Sequence, residues 1–293
     1  MPSCDACFRN CKLQEGQTGV CGARVCRNGK IEAQNYGIIT SEAVDSIEKK
    51  PFKRFFPGSQ IFSLGSYGCN LFCPFCQNFE ISRAKNSENG GLEIKISDRT
   101  FSIPQKSISP EEAVVKAKNL VQMGNIGIAF TYNEPLVGYE YVRDTAKLCR
   151  KHGLKTVLVT NGAFTLQVLR EVLPYIDAMN IDLKGFTEAW YSGTLMGNLP
   201  MVKEFINAAS QECHVEITTL VIPGKNDSEQ EMRRLASWIA GLHEGRGAEI
   251  PLHISRYYPH YRMLDIPSTP VSKIYKLVSI ARKYLNWVYC GNC

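Results

Sequence analysis

Three cysteines within eight residues are the clearest chemical signal in the sequence. They are Cys69, Cys73 and Cys76, spaced Cys-x3-Cys-x2-Cys, and they follow a short apolar run at Ile61–Leu64. Thiolates are soft ligands that suit iron–sulfur clusters, zinc or copper(I). A structural zinc ion usually takes four protein ligands, and no fourth Cys or His lies nearby. An iron–sulfur cubane normally takes four cysteines, so one held by these three keeps one iron open. A structural metal loop or reduced, buried cysteines are the alternative.

A second cysteine group lies near the N-terminus. Cys4, Cys7, Cys11 and Cys21 are spaced Cys-x2-Cys-x3-Cys-x9-Cys, and Cys26 follows closely. This spacing suits a Cys4 zinc site or an auxiliary iron–sulfur cluster. Free cysteines without metal are the alternative, and the sequence does not decide between zinc and a cluster.

Composition indicates a globular protein with metal or redox chemistry. The chain has 293 residues, of which 44% are apolar and 21% charged, which is typical of soluble proteins. Twelve cysteines with no recognisable secretion signal favour metal sites over disulfides. No apolar run has the roughly 18 residues of a membrane span, so we expect a cytoplasmic protein without a membrane partner. The net charge of +6 is spread along the chain, and no basic tract with interleaved aromatic residues predicts nucleic-acid binding.

Strand and helix patterns alternate from about Ser59 onward, which predicts parallel β/α architecture. The predicted strands are Ile61–Gly65, Ile126–Asn133, Thr156–Thr160, Ala178–Lys184, Val215–Ile222, Leu252–Tyr257 and Trp287–Tyr289. Six or seven β/α units fit an incomplete (β/α)6 TIM-like barrel over residues 56–293, after a cysteine-rich region over residues 1–55. Ser109 should cap a helix that runs to about Met123. The polar stretch Lys85–Ser107, with Asn89-Gly90-Gly91, predicts an inserted hairpin or flap.

Alternation along two predicted strands places polar side chains on one face. In Ala178–Lys184 that face carries Asn180, Asp182 and Lys184, and in Leu252–Tyr257 it carries His253. Polar residues near strand carboxyl ends point to the active-site mouth of a TIM-type barrel. A local ion pair between Asp182 and Lys184, and a hydrogen-bonded core position for His253, are the alternatives.

The cysteine pattern, with aromatic Phe75 just before the last cysteine, resembles the signature of radical S-adenosylmethionine (SAM) enzymes. The whole chain resembles the radical SAM proteins of the AmmeMemoRadiSam system, which are relatives of the activating enzymes for pyruvate formate-lyase and other glycyl-radical enzymes. The matching stretches are Cys4–Arg24, Ile47–Pro51, Gly65–Ser82, Ala129–Val137, Val159–Gly162, Asn180–Gly185, Val215–Asp227 and Pro251–Tyr261.

The resemblance implies a [4Fe–4S] cluster on Cys69, Cys73 and Cys76, whose open iron binds SAM. It implies reductive cleavage of SAM to a 5′-deoxyadenosyl radical, which abstracts hydrogen from a substrate. That substrate is either a glycyl-radical protein or another protein or small molecule. Separately from the resemblance, the net charge of +6 suits an acidic reductant such as ferredoxin or flavodoxin, and an ordinary solvated surface is the alternative.

The resemblance also implies roles for single residues. Phe75 and Asn78 would contact SAM, with Phe75 beside the adenine, and Glu134 would accept the SAM amino group. The remaining implied contacts are Thr160 and Asn161 with the ribose hydroxyls, Asp182 and Lys184 near the SAM carboxylate and the substrate channel, and His253 by the adenine or the substrate opening.

Two departures and two other functions stay open. This chain has Phe52-Lys53-Arg54 where relatives usually carry Leu-Tyr-His, and its final residues include Cys290-x2-Cys293. An electron-transfer or metal-sensing protein without SAM chemistry, or a zinc-dependent binding module, is the rival hypothesis. Motifs of nucleotide hydrolases, zincins and serine hydrolases are absent from the sequence.

Overall fold

The computed structural model describes residues 1–87 and 90–293. The strands are β1 Arg24–Arg27, β2 Lys30–Ala33, β3 Ile38–Ile39, β4 Ser41–Ser46, β5 Gln60–Gly65, β6 Lys85–Asn86, β7 Leu92–Ile96, β8 Arg99–Ile103, β9 Lys106–Ser107, β10 Asn125–Phe130, β11 Lys155–Thr160, β12 Ala178–Asp182, β13 His214–Val221, β14 Leu252–Arg256 and β15 Val288–Gly291. The α-helices are α1 Phe79–Ser82, α2 Pro110–Asn119, α3 Tyr139–Lys151, α4 Leu166–Val172, α5 Leu199–Glu212, α6 Glu229–Ala240 and α7 Val271–Ala281.

An eight-stranded sheet is the framework of the molecule. Its order is β15-β14-β13-β12-β11-β10-β5-β4. The seven strands from β5 to β15 in this order are all parallel, whereas β4 pairs antiparallel with β5 at one edge. A helix of the series α2 to α7 lies between each pair of consecutive parallel strands, as parallel connections require. The prediction of an α/β fold with a parallel sheet is confirmed.

Helix α2 begins as predicted and ends earlier. The Ser109 side chain accepts a hydrogen bond from the Glu112 amide, and the Glu112 carboxylate accepts one from the Ser109 amide, which forms a capping box. The helix ends at Asn119, and a separate 3-10 turn follows before Gly124, whose φ is +87°. The prediction of one helix to Met123 is therefore wrong, because the chain tightens into this turn and leaves it through a left-handed glycine.

Strand β12 shows the predicted alternation over a shorter length. Met179 and Ile181 are fully buried in the main hydrophobic core. On the other face, Asn180 donates to the Pro51 carbonyl oxygen (2.8 Å) and accepts from the Thr218 hydroxyl (2.8 Å). The strand ends at Asp182, so Lys184 lies in the following loop and not on the strand face as predicted.

Two peripheral regions accompany the sheet. Strands β6, β7 and β8 form a three-stranded antiparallel sheet in the predicted flap, and β9 pairs with β3. Asn89 of the predicted turn lies outside the described residues. In the N-terminal region, β1 and β2 form a hairpin, whereas β4 joins the main sheet. The division into residues 1–55 and 56–293 stays a prediction. No helix among the described residues is long and apolar enough to cross a membrane.

Glu216 organises the amino-terminal edge of the parallel strands. Its carboxylate is fully buried and pairs with His253 (2.6 Å) and His214 (3.0 Å). It also accepts from the backbone amides of Lys53 (3.0 Å) and Arg54 (2.8 Å). Burial alone would raise the pKa of Glu216, but these hydrogen bonds lower it to about 2. The buried carboxylate therefore ties the segment after Pro51 to the bottom of the sheet.

We expect Glu216→Gln to lower the free energy of unfolding by about 3 kcal/mol at pH 7, the worth of a pKa shift from 4.5 to about 2. Because the folded-state pKa is depressed, this stability is present above pH 4.5 and is lost as the pH falls toward 2. The difference between variant and wild type should shrink over the same range. Urea denaturation at several pH values measures it.

The matched control is Glu212→Gln, at the exposed end of α5, which should change the free energy of unfolding by less than about 0.5 kcal/mol. Equal stability of Glu216→Gln and wild type at pH 7 would contradict the assigned role of Glu216.

Candidate functional site at the carboxyl edge of the sheet

The loop that carries the three cysteines connects β5 to α1, and its start is held by one side chain. Asn133, just beyond β10, donates to the carbonyl oxygens of Tyr67 (3.0 Å) and Gly68 (3.2 Å). Its own amide oxygen accepts from the Ser66 amide (2.9 Å). These bonds fix where the cysteine loop leaves the carboxyl edge of the sheet.

Two arginines hold the middle of this loop. Arg83 donates to the Cys69 carbonyl oxygen (2.8 Å), and Arg9 donates twice to the Asn70 carbonyl oxygen (3.1 and 3.0 Å). Both guanidinium groups also lie over the Phe72 ring, at 4.3 Å for Arg83 and 5.2 Å for Arg9. The arginines bind the backbone of the loop, and the thiol groups remain free to act as ligands.

The thiols of Cys69, Cys73 and Cys76 are all half-buried and reduced. Burial raises the pKa of Cys73 to about 11 and that of Cys69 further. A metal centre must therefore displace their protons when it binds, as thiolate ligation requires. No group of three or more His, Cys, Asp or Glu side chains in the described parts of the chain is arranged to hold a single metal ion. Three soft donors in one loop fit a cluster, in which each cysteine binds a different iron.

A buried carboxylate joins the ends of two neighbouring strands. Glu134, only 3% exposed, accepts from the Thr160 hydroxyl (2.7 Å) and from the amides of Asn161 (2.8 Å) and Leu136 (3.1 Å). Burial raises the pKa of Glu134 to about 7, although these hydrogen bonds act in the opposite direction. The Asn161 side-chain nitrogen lies 3.7 Å from the Cys69 sulfur. The structure thus brings the predicted residues Glu134, Thr160 and Asn161 together beside the cysteine loop.

Asp182 and Lys184 form an ion pair of 2.7 Å beside the same loop. Burial opposes the charge on Lys184, but the charges of Asp182 and Cys73 raise its pKa. The backbone around Lys184 is held by the Tyr191 hydroxyl, which accepts from its amide (3.0 Å), and by the Trp190 indole, which donates to its carbonyl oxygen (2.8 Å). The lysine is therefore a fixed charge close to Cys73.

Phe75 and Asn78 lie on either side of the last cysteine. Phe75 is 6% exposed and stacks on Trp190, with ring centroids 6.2 Å apart and planes 4° apart. Asn78 donates to the Tyr132 carbonyl oxygen (2.7 Å). Both residues lie at the carboxyl edge of the sheet. Their contacts with SAM remain predictions.

His253 is not part of this site. It is the second residue of β14 and therefore lies at the amino edge of the parallel strands, where it pairs with Glu216. The predicted alternation of side chains along β14 is correct. A residue beside the substrate opening would have to lie at the carboxyl end of the strand, whereas His253 lies at the amino end. The structure favours the alternative of a hydrogen-bonded core histidine.

Sequence reasoning missed the residues that position the site. Asn133 stands inside the motif that identified Glu134, so its motif position was the available signal. Arg9 contacts Asn70 across 61 residues of sequence, and no local pattern reveals such a contact. Trp190 lies in a single π-helical segment, Trp190–Leu195, which periodicity does not predict.

The four cysteines predicted as ligands in the cysteine-rich N-terminal region, called the head from here on, also come together. Cys4, Cys7, Cys11 and Cys21 line one small cavity of about 10 Å³, the room of about one water molecule. Cys26 is fully buried nearby in β1 and does not line it.

A larger cavity of about 1130 Å³ lies away from all these residues. Its lining includes Lys155, Asp177 and His214, which stand at or just before the starts of parallel strands. Enzymes with parallel β/α architecture carry their chemistry at the other end of the strands. We therefore assign the site to the cysteine loop.

Comparisons with known proteins identify relatives of this chain. A model of the radical SAM superfamily matches residues 64–236. An uncharacterized protein of Methanocaldococcus jannaschii is 35% identical over 291 residues, which cover 99% of this chain and 80% of that protein. The pyruvate formate-lyase 1-activating enzyme of Escherichia coli K12 is 25% identical over 174 residues, 58% of this chain and 65% of that enzyme.

Solved structures show a similar fold. SuiB of Streptococcus suis has a TM-score of 0.56 at 12% identity, covering 78% of this chain and 48% of that one. A domain of the pyruvate-formate lyase-activating enzyme of Bacteroides vulgatus has a TM-score of 0.50 at 18% identity, covering 57% of this chain and 99% of that one. The superfamily match spans the cysteine loop and every strand end around it. The chain therefore belongs to the radical SAM superfamily.

Proposed function

We propose that this chain is an enzyme that binds a [4Fe–4S] cluster on Cys69, Cys73 and Cys76 and binds SAM beside it. The observation that carries the proposal is the meeting of three half-buried thiols with two sets of fixed polar groups at one edge of the sheet. These sets are Glu134 with Thr160 and Asn161, and Asp182 with Lys184. When bound, the reduced cluster and SAM supply a 5′-deoxyadenosyl radical that abstracts hydrogen from the substrate.

The carboxylate of Glu134 is the proposed acceptor for the ammonium group of SAM. A buried carboxylate binds an ammonium by charge-assisted hydrogen bonds, and the positive charge would offset the cost of burying Glu134. The Thr160 hydroxyl donates to Glu134 and accepts from the Gly162 amide (3.2 Å), which leaves one lone pair for a ribose hydroxyl. Asn161 holds Glu134 through its backbone amide and approaches Cys69 through its side chain.

Lys184 is the proposed partner for the SAM carboxylate or for a group of the substrate. Its ammonium has three donors, one of which meets Asp182. Asp182 keeps this ammonium charged and oriented next to Cys73. Phe75 and Asn78 are proposed to line the place of the adenine and the rest of SAM.

The open sheet supports an incomplete (β/α)6 barrel as the architecture around these residues. Strand order follows chain order from β5 to β15, and these two strands are not paired with each other in the described part of the chain. Because β4 belongs to the main sheet, we propose that the cysteine-rich region ends just before Ser41, earlier than residue 55.

A glycyl-radical protein is the proposed substrate class. Relatives that carry a functional name include the activating enzymes for pyruvate formate-lyase in Escherichia coli and Clostridium pasteurianum. We propose a ferredoxin or flavodoxin as the reductant, and the net charge of +6 favours such an acidic partner.

Cys73→Ala should lose the iron of the loop and the SAM cleavage activity, while the fold is retained. One of only three cluster ligands is removed, and the thiol is replaced by a small side chain at a half-buried position. Iron and sulfide analysis of anaerobically purified protein, with a dithionite-driven assay for 5′-deoxyadenosine, measures both effects. Cys213→Ala, at the opposite edge of the sheet just before β13, is the control and should retain both. Full activity of Cys73→Ala would overturn the proposed function.

Glu134→Gln should weaken SAM binding by roughly 10-fold or more, the worth of one charge-assisted hydrogen bond. Equilibrium dialysis with labelled SAM on cluster-loaded protein gives the dissociation constants. Glu188→Gln changes an exposed carboxylate and should leave SAM affinity unchanged. Equal affinities of Glu134→Gln and wild type would exclude Glu134 as the acceptor.

SAM affinity of the wild type should rise as the pH increases through about 7. The pKa of Glu134 without ligand is about 7, and only the ionised carboxylate attracts an ammonium group. Below that pH, binding must first remove the proton, which weakens the apparent affinity. The same dialysis repeated between acid and alkaline pH measures this slope. The slope should disappear in Glu134→Gln, and a slope that persists there would assign the titration to another group.

The rival functions give different outcomes in the same preparations. Iron-loaded protein that forms no 5′-deoxyadenosine from SAM would support an electron-transfer or metal-sensing protein. Protein that holds zinc and takes up no iron on anaerobic reconstitution would support a zinc-dependent binding module.

A further inference from the structure

Four thiols from two separate turns face one cavity in the cysteine-rich head. The Cys4 amide donates to the Cys11 carbonyl oxygen (2.8 Å), which closes the first turn. The Gly19 amide donates to the Arg24 carbonyl oxygen (2.8 Å), which closes the second turn around Cys21. A Cβ atom on Gly19 would lie 3.7 Å from the Cys11 sulfur, so the two turns are in van der Waals contact. The backbone therefore directs the four cysteines at a common space.

The surroundings of this cavity suit a negatively charged metal centre. Arg9 and Arg24 line it together with the cysteines. Four thiolates around a [4Fe–4S]²⁺ cluster carry a net charge of about −2, which guanidinium groups partly offset. Arg24 also pairs with Glu140 (2.8 Å), whereas Arg9 lies within the electrostatic reach of Cys7, Cys11 and Cys69. Arg9 is thus positioned between the head cysteines and the cysteine loop.

The head and the cysteine loop are joined at two ligand positions. The Cys69 amide donates to the Cys21 carbonyl oxygen (3.1 Å). Next to it, Gly68 has a φ of +91°, and a Cβ there would lie 2.7 Å from the same carbonyl oxygen and 2.9 Å from the Cβ of Ala23. Only glycine permits this approach, so the backbone of one cysteine group rests directly on that of the other.

We propose that Cys4, Cys7, Cys11 and Cys21 coordinate a second metal centre, and that this centre fixes Cys69, the first ligand of the loop cluster, through Cys21. The site itself is independent of SAM chemistry, and only the coupling rests on the proposed function. No group of three or more His, Cys, Asp or Glu side chains among the described residues is arranged to hold a single metal ion. The four thiols therefore suit an iron–sulfur cluster, in which each cysteine binds a different iron, rather than a zinc ion. The arginine between the two cysteine groups offsets part of the negative charge of both.

Metal analysis of three variants tests the site. Anaerobically purified wild type should hold about four iron atoms for the loop cluster and, in addition, about four more iron atoms for the head. Cys11→Ser should lose only the additional metal, and Cys73→Ala only the loop iron. Cys26→Ser changes a buried head cysteine outside the cavity and should retain everything. Wild type without the additional metal, or Cys11→Ser with an unchanged metal content, would overturn the site.

These outcomes separate the proposal from the proposed function. If the loop binds no cluster, the additional metal should still be present in wild type and in Cys73→Ala. If Cys11→Ser fails to fold, alkylation of wild type followed by mass spectrometry replaces it. Cys11 and Cys21 should react only after the metal is removed by a chelator, whereas the exposed Cys290 should react in both states. Unchanged reactivity of Cys11 and Cys21 after chelation would contradict the site.

The coupling has its own measurement. In Cys11→Ser, EDTA should remove the loop iron about 10-fold faster than in Cys26→Ser, the size of effect expected when support behind a metal ligand is lost. The absorbance of the cluster follows this removal without any activity assay. EDTA could remove the loop iron at equal rates from the two variants while the additional metal is lost only in Cys11→Ser. That result would support the second metal site but overturn its coupling to Cys69.

Discussion

Parallel pairing in chain order is the constraint on which the site depends. The carboxyl ends of β5, β10, β11 and β12 lie side by side, so the segments that follow them must meet at one edge. Those segments carry the cysteine loop, Glu134, Asn161 and Lys184. The cysteine loop and these three residues are far apart from one another in the sequence. The order of the strands in the sheet brings them together. Hydrogen bonds from Asn133 and the two arginines then fix the loop on this edge.

Two buried glutamates show how differently the two edges are used. Glu216 at the amino edge meets two histidines and two amides, which lower its pKa to about 2. Glu134 at the carboxyl edge meets one hydroxyl and two amides, and its pKa is raised to about 7. The first carboxylate stabilises the fold. Burial of the Glu134 carboxylate lowers the stability of the free protein, and a bound cationic ligand would remove that cost. Such a loss of stability in exchange for ligand binding is common at functional sites.

The sequence predicted what depends on local pattern and spacing. The cysteine loop, the parallel α/β order and the cap of α2 follow from residue types at short separation. Two predictions were wrong: that β12 extends to Lys184, and that His253 lies by the substrate opening. Alternation shows which face of a strand a residue occupies, but not where along the strand it lies. The contact of Arg9 with Asn70 and the bond from Cys69 to Cys21 join distant segments. Only the packing of the head against the sheet reveals them.

Strain at Tyr132 shows how the sheet edge is adapted to the site. Tyr132 has a φ of +73°, a conformation that costs a non-glycine residue about 1–3 kcal/mol. Its hydroxyl donates to Asp45 (3.0 Å), and the Lys50 ammonium lies 4.5 Å from its ring. Its carbonyl oxygen accepts from Asn78 at the far end of the cysteine loop. The turn thus holds the loop on one side and, two residues later, directs Glu134 inward. Contacts with the edge strand β4 and the Lys50 segment offset the strain, so residues remote from the proposed chemistry determine where the buried carboxylate lies.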